Sequence, residues 1–135
     1  MIRYTNSLAT VTANDLQGFF GGWPNPPSSD THLRILAGSD EIVLAVDNET
    51  GNVVGFITAI TDGVLSAYIP LLEVLPDYQG QGIGRELTRR MLEKLEGFYM
   101  VDAVCDPGLA PFYAQFGMTG GTAMMLRRPD LQSGA

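Results

Sequence analysis

Leu72-Glu73-Val74-Leu75-Pro76-Asp77-Tyr78-Gln79-Gly80-Gln81-Gly82-Ile83-Gly84 passes from a β-rich run, through a turn opened by proline, into alternating glycines at the start of a helix. That helix is the clearest in the chain. Ile83, Leu87, Met91 and Leu95 recur every four residues, while Arg85, Glu86, Arg89, Arg90, Glu93 and Lys94 fall on other faces, so one side packs and the other is wet. A glycine-rich turn that leaves a strand and opens a helix suits an anion, because its N–H groups and the positive helix end converge where no side chain intrudes. Gly80, Gly82 and Gly84 therefore form a candidate phosphate site, the alternative being a flexible connector.

Spacing narrows the ligand. A Walker loop needs Lys followed by Ser or Thr after its last glycine, and here Arg85-Glu86 follows Gly84, leaving nothing to hold a nucleotide's magnesium. The dinucleotide fingerprint needs its third glycine where this chain has Arg85, and it should open a βαβ unit rather than follow a series of antiparallel strands. Neither an NTPase nor a Rossmann domain fits.

Upstream, Ile2 and Tyr4 alternate with polar neighbours as in a short strand, and Thr12 with Asp15 forms a capping box that predicts a helix from Ala13 to Phe20. The breakers from Gly21 to Ser29 form a loop that carries the only tryptophan, Trp23; Ser29 then caps a second helix running to Ala37 and stopped by Gly38. Ile42–Val46 and Val53–Ile60, joined by a turn over 47–52, read as a hairpin. A further extended stretch runs from Val64 to Val74, and Pro70, which cannot donate to a ladder, predicts a break in its pairing. Downstream, Gly97 ends the long helix, Phe98 to Cys105 reads as a strand, Ala110 to Phe116 as a helix, and Thr122 to Leu126 as a last strand before a polar tail. The order predicts one mixed α/β domain over residues 1–135.

Composition sets the outer limits. With 135 residues, of which 45% are hydrophobic, a single core needs no staples. One cysteine (Cys105) and one histidine (His32) make a structural zinc site and a His-dependent triad poor fits, so no metal is expected. A net charge of −7 has the wrong sign for gripping a nucleic-acid backbone. The same field favours a cationic small molecule or a basic peptide tail, or serves solubility alone. No apolar run approaches the ~18 residues that span a bilayer, and the start lacks a signal peptide's apolar region. No membrane partner and a cytoplasmic location are expected.

At Gln79, Gly82 and Gly84 the chain resembles the GNAT superfamily of N-acetyltransferases, whose acetyl-CoA loop reads Arg or Gln, two residues, Gly, one residue, Gly or Ala. Phe112-Tyr113-Ala114-Gln115-Phe116-Gly117-Met118 resembles the family's late helix, with Met118 in place of the more usual phenylalanine. The two elements stand in the family's order; the first forty residues match in pattern only. The resemblance implies a mixed, mostly antiparallel central sheet flanked by helices, the acyl-CoA N-acyltransferase fold. It implies acetyl-CoA as co-substrate, held by Gln79, Gly80, Gln81, Gly82, Ile83, Gly84 and Arg85 at the pyrophosphate. Leu72, Val74 and Leu75 would lie along the pantetheine arm, with Phe112 and Phe116 beside it. The implied reaction is direct attack by a primary amine in a ternary complex. The rival is a non-catalytic acyl-CoA-binding regulatory module. Oligomeric state stays open, a homodimer being frequent in the family.

Roles carried by the resemblance sit beside plainer readings. Tyr113 is the candidate general acid toward the CoA thiolate, or a packing partner of Phe112 and Phe116. Glu73, an acid in an apolar run, is the candidate base toward the amine's ammonium form, or it simply faces solvent by alternation; Asp106 is a second choice. Arg85 adjoins the loop and suits the 3′-phosphate of the cofactor, whereas Arg89 and Arg90 read as a solvated face, and Cys105 as a packed strand cysteine. Phe19, Phe20 and Trp23 read equally as an aromatic wall for the acceptor or as core.

Overall fold

The hairpin of β2 (Glu41–Asp47) and β3 (Val53–Thr61) sits at the centre of the molecule because both its faces are apolar. Ile42, Leu44 and Val46 point to one core and Val43 and Ala45 to another, the period-2 alternation of a strand buried on both sides. The computed structural model describes residues 1–135 and places β1 (Ile2–Thr5) antiparallel to β2 on the outer side. The sheet has six strands, with β1, β2, β3, β4 (Ser66–Ile69) and β6 (Met100–Ala103) in sequence across it and β5 (Leu72–Val74) sharing an edge of β3.

One face is covered by α2 (Ile83–Lys94), whose Ile83, Leu87 and Met91, with Leu95 just beyond, are buried as the four-residue spacing predicts. Each such side chain contributes roughly 2 kcal/mol by leaving water. A bulge brings α2 close: Ala45 pairs Gly55 but Val46 pairs Val53, so Val54 is the extra residue in β3. A Cβ on Gly55 would lie 3.1 Å from Leu87 Cδ1 and 3.2 Å from Ile83 Cγ2, so those two side chains would have to give by about a few tenths of an ångström to admit it. The other face is covered by α1 (Ser29–Gly38) and the turn before it, around Leu16, Phe20, Leu36 and Phe56.

Pro70 divides the predicted Val64–Val74 stretch into β4 (Ser66–Ile69) and β5 (Leu72–Val74). β4 pairs with the end of β3 and runs parallel to β6 (Met100–Ala103), whereas β5 pairs only with the first half of β3. Beyond Pro70 the sheet is therefore open between β5 and the chain leaving β6. This break places the site.

Several boundaries differ from the sequence expectation. The helix predicted over Ala13–Phe20 is a single 3-10 turn, Ala13–Leu16, because the chain turns left-handed at Gly18 (φ 91°) and again at Phe20 (φ 62°). Ser28, not Ser29, caps α1, its hydroxyl accepting from Thr31 N–H. α2 ends at Lys94, ahead of Gly97, and β6 starts at Met100 and stops at Ala103, so Cys105 lies beyond the strand. The late helix, α3, spans Ala110–Ala114. Thr122–Leu126 forms no strand: after Gly117 (φ 87°) the chain finds no ladder partner and passes along the opening instead, where Met125 and Arg127 line it.

Candidate functional site

Antiparallel pairing fixes what β5 offers. Leu75 N–H donates to Val54 O and Thr58 N–H to Leu71 O, so by the two-residue alternation of the ladder Glu73 bonds toward β3, while Leu72 and Val74 turn their backbone groups to the open side. Gln79 Nε2 donates to Val74 O at 2.9 Å, which occupies that carbonyl and leaves the Val74 N–H facing the gap. The Leu75 amide, committed to Val54, has no such freedom.

Two spaces meet along β5. One, about 600 Å³, lies beside the glycine turn and is lined by Leu72, Glu73, Val74, Gln79, Gly80, Gly82, Ile83, Gly84, Arg85, Phe112 and Tyr113, with Tyr78, Leu109 and Gln115. The other, about 950 Å³, lies between the loop holding Gly18, Gly21 and Trp23, the β4–β5 junction, and the chain after β6 at Val104, Cys105 and Asp106. Leu72, Glu73, Val74, Gln79, Leu109 and Tyr113 line both. Each volume falls in the range of small-molecule sites.

The glycine turn presents free donors. The backbone N–H groups of Gly80, Gln81, Gly82, Ile83, Gly84 and Arg85 donate to no backbone acceptor, and the first intrahelical bond is Glu86 N–H to Gly82 O. Gly80 (φ 78°) and Gly82 (φ 83°) are left-handed, which turns successive amides to one side, and Gly82 as N-cap has no side chain to occupy them. The turn is tied down by Tyr78, whose hydroxyl donates to Asp47 Oδ2 at 2.6 Å. That bond holds the Asp47 carboxyl below the usual carboxylate range and pushes the phenol up.

At the junction, both Glu73 oxygens accept from the Phe20 N–H at 3.0 Å. Burial raises the Glu73 carboxyl above the ordinary value, and the Phe20 N–H only partly offsets it. The left-handed turn at Phe20 is what aims that N–H, so the shortened first helix and the half-buried carboxylate belong to one arrangement. Burial also raises the Tyr113 phenol, with the Cys105 thiol adding to it.

Other expected residues fall outside. Gln81 is exposed at the tip of the turn, and Phe116 packs edge-on against Phe112 at 5.5 Å without lining either space. Ile83 faces the site through its backbone alone, its side chain being buried. Arg89 and Arg90 pair with Glu86, and Arg90 lies 4.6 Å over the Tyr4 ring; Arg85 has no ion pair. Phe19 and Phe20 pack around His32 and Phe56 as core, while Trp23 alone of the three aromatics lines the larger space. Met125 and Arg127, which also line it, sit where the sequence reads as a last strand and a polar tail, with no local signal to mark them. No helix is long and apolar enough to cross a membrane, and no group of three His, Cys, Asp or Glu could hold a metal ion.

Residues 9–118 match the model of the acetyltransferase (GNAT) family. A crystal structure from Deinococcus radiodurans, described provisionally as an acetyltransferase, is 46% identical, with a TM-score of 0.94 over 98% of this chain and 92% of that one. A GNAT family acetyltransferase from Streptococcus pneumoniae is 29% identical with a TM-score of 0.76, covering 95% of this chain and 98% of its own. Among curated proteins, an uncharacterized N-acetyltransferase, ycf52-like, from Prochlorococcus marinus is 31% identical over 105 residues, 73% of this chain and 56% of that protein. The chain thus spans little more than half the length of this relative.

Proposed function

The chain belongs to the GNAT family of acetyltransferases, and from that premise we propose that it transfers the acetyl group of acetyl-CoA to a primary amine within a ternary complex. The observation that carries this reading is the run of unengaged amides from Gly80 to Arg85, continuous along β5 with a junction where Glu73 and Tyr113 line both spaces. Free amides at a helix N-terminus suit a pyrophosphate, and Arg85 beside them suits a further phosphate. The co-substrate supplies the activated acyl group as a thioester. The larger space then receives the acceptor.

Two of the proton transfers have a residue. An ammonium has no lone pair, and Glu73, with its raised affinity for protons, takes one from it. The amine nitrogen bonds to the acetyl carbon, the carbon–sulfur bond breaks, and Tyr113 donates its phenolic proton to the departing thiolate; the nitrogen sheds its second proton as the amide forms, which through solvent restores the phenol, while Glu73 returns its own to solvent. Charge gathers on the acetyl oxygen during attack, and the outward Val74 N–H is the donor for it, a contact worth roughly 3 kcal/mol when preorganised.

Thiol release from acetyl-CoA across a broad amine panel, read beside calorimetric CoA binding, tests the proposal. Release with at least one amine is the expected result. CoA binding without release from any amine would overturn it in favour of an idle acyl-CoA-binding module.

A further inference from the structure

The larger space contains one cation. Arg127 is the sole lysine or arginine on its wall, which also carries two carboxylates, Glu73 and Asp106. In a chain with 15 acids and 8 bases, an arginine in such company ordinarily pairs. Arg127 does not: the ion pairs of the protein involve Arg89, Arg90 and Lys94 alone. Its one side-chain partner is Met125, whose sulfur lies 3.6 Å from Nη2 and is a weak acceptor. Arg127 is exposed, and its planar fork of donors is left without a carboxylate partner on the wall of that space.

Its placement is structural. The chain after Gly117 passes from α3 to the loop before α1 and is fastened there, Asn25 N–H donating to Gln132 Oε1 at 2.8 Å. Gly134 then lies so near α1 that a Cβ on it would come within 3.1 Å of Thr31 Cγ2. Glu73, for its part, is held by the Phe20 N–H from a different element. An unpaired guanidinium and a fixed carboxylate, kept apart in one cleft, complement a molecule that carries both charges. Trp23, Leu71, Leu109 and Met125 line the same space with apolar surface.

We propose that the acceptor is an amine bearing a carboxylate, an amino acid with an apolar or aromatic side chain, and that Arg127 is the residue that reads the carboxylate. The inference rests on the acetyl-transfer reading for the direction in which the amine points, toward Glu73. Guanidinium and carboxylate form two parallel charge-assisted bonds, a geometry a plain arylalkylamine cannot use. The apolar wall alone would accept either.

The test uses matched pairs: phenylalanine against 2-phenylethylamine, tryptophan against tryptamine, leucine against isoamylamine. Each is titrated calorimetrically into the CoA-loaded protein, and each is offered as acceptor with acetyl-CoA. In at least one pair the amino acid should bind about tenfold or more tightly than its decarboxylated partner, and kcat/KM should follow. Arg127→Gln should bring that ratio to near one, and Arg127→Lys should restore part of it. Equal binding within every pair, no binding by any member, or a ratio that survives Arg127→Gln would overturn the proposal. Carboxylate-dependent binding, with no transfer to these or to any amine of the wider panel, would leave the Arg127 subsite standing and refute acetyl transfer. Transfer to the plain amines with no preference would do the reverse.

Discussion

Gly82→Ala separates the binding role of the glycine turn from its role in folding. Gly82 holds φ 83° and ψ 8° as the N-cap of α2, a conformation that costs a residue with a Cβ about 1–2 kcal/mol. A Cβ built there meets no atom within 4 Å, so the penalty is conformational, not steric. The amides around it have no backbone partners, and the Tyr78 bond to Asp47 anchors the chain only ahead of the glycines, so residues 80–82 can relax and shed the strain. Binding a pyrophosphate would require the left-handed form again and restore the full cost. CoA affinity should therefore fall about 5- to 30-fold, the equivalent of that strain, with little change in thermal stability. Gly84→Ala is the control. Its Cβ would lie 3.7 Å from Val74 Cγ2, an ordinary contact inside the first turn of α2, and alanine there should add up to about 1 kcal/mol of helix stability. CoA affinity should hold. Calorimetric titration of both variants, with melting curves alongside, decides the matter: full affinity in Gly82→Ala, or equal loss in both, would refute the assignment of the turn.

Tyr113→Phe should lower kcat by about 10²-fold or more, as for loss of a general acid, while the KM for acetyl-CoA changes little; an unchanged kcat removes Tyr113 from that role. Because burial raises the Glu73 carboxyl, kcat/KM should climb with pH along a limb displaced above the ordinary carboxylate range, and Glu73→Gln should flatten that limb; a limb that persists in the variant assigns the base elsewhere. His32 is 1% exposed, has no hydrogen-bond partner on either ring nitrogen, and is held by burial at a pKa of about 4. The fold thus favours neutral imidazole, so this contribution to stability is complete above pH ~6.5 and is lost as pH falls toward 4, about 2 kcal/mol of it by pH ~5. Urea unfolding at neutral pH and near pH ~5 checks this, since the loss should vanish in His32→Leu and no other histidine titrates in that window.

What the sequence made legible is what local pattern encodes. α2 declares itself because four apolar residues share one face; the break at Pro70 follows from a missing N–H; the turn at Gly80, Gly82 and Gly84 follows from the freedom of glycine. What it hid depends on partners distant in the chain. Thr12 and Asp15 do form their capping box, yet the helix stops after one turn because Phe20, with φ 62°, serves Glu73, 53 residues away. Alternation along β5 left Glu73 equally suited to solvent or to a site, and that same distant N–H settles its position. Thr122–Leu126 has the composition of a strand, but a strand is made by its neighbour, and none is offered. Arg127 was hidden for the same reason.

Net charge proves a limited guide to the ligand. A surplus of seven negative charges argues against a long polyanion, whose every phosphate samples the protein's whole field. It says much less about a compact phosphate group seated in a turn. Exposed charges more than about 8–10 Å away are largely screened at physiological ionic strength, whereas the amides of Gly80 to Arg85 would act at hydrogen-bond distance. The nearest acid on the helix, Glu86, is already engaged by Arg89 and Arg90, with its carboxyl held down to about 2. Those two arginines therefore neutralise the one carboxylate on the first turn of α2 instead of touching a ligand themselves, and Arg85 is left unpaired beside the turn. Unengaged amide dipoles, an unpaired Arg85 and a neutralised Glu86 are what the helix side offers the turn, and they favour an anion whatever the bulk composition.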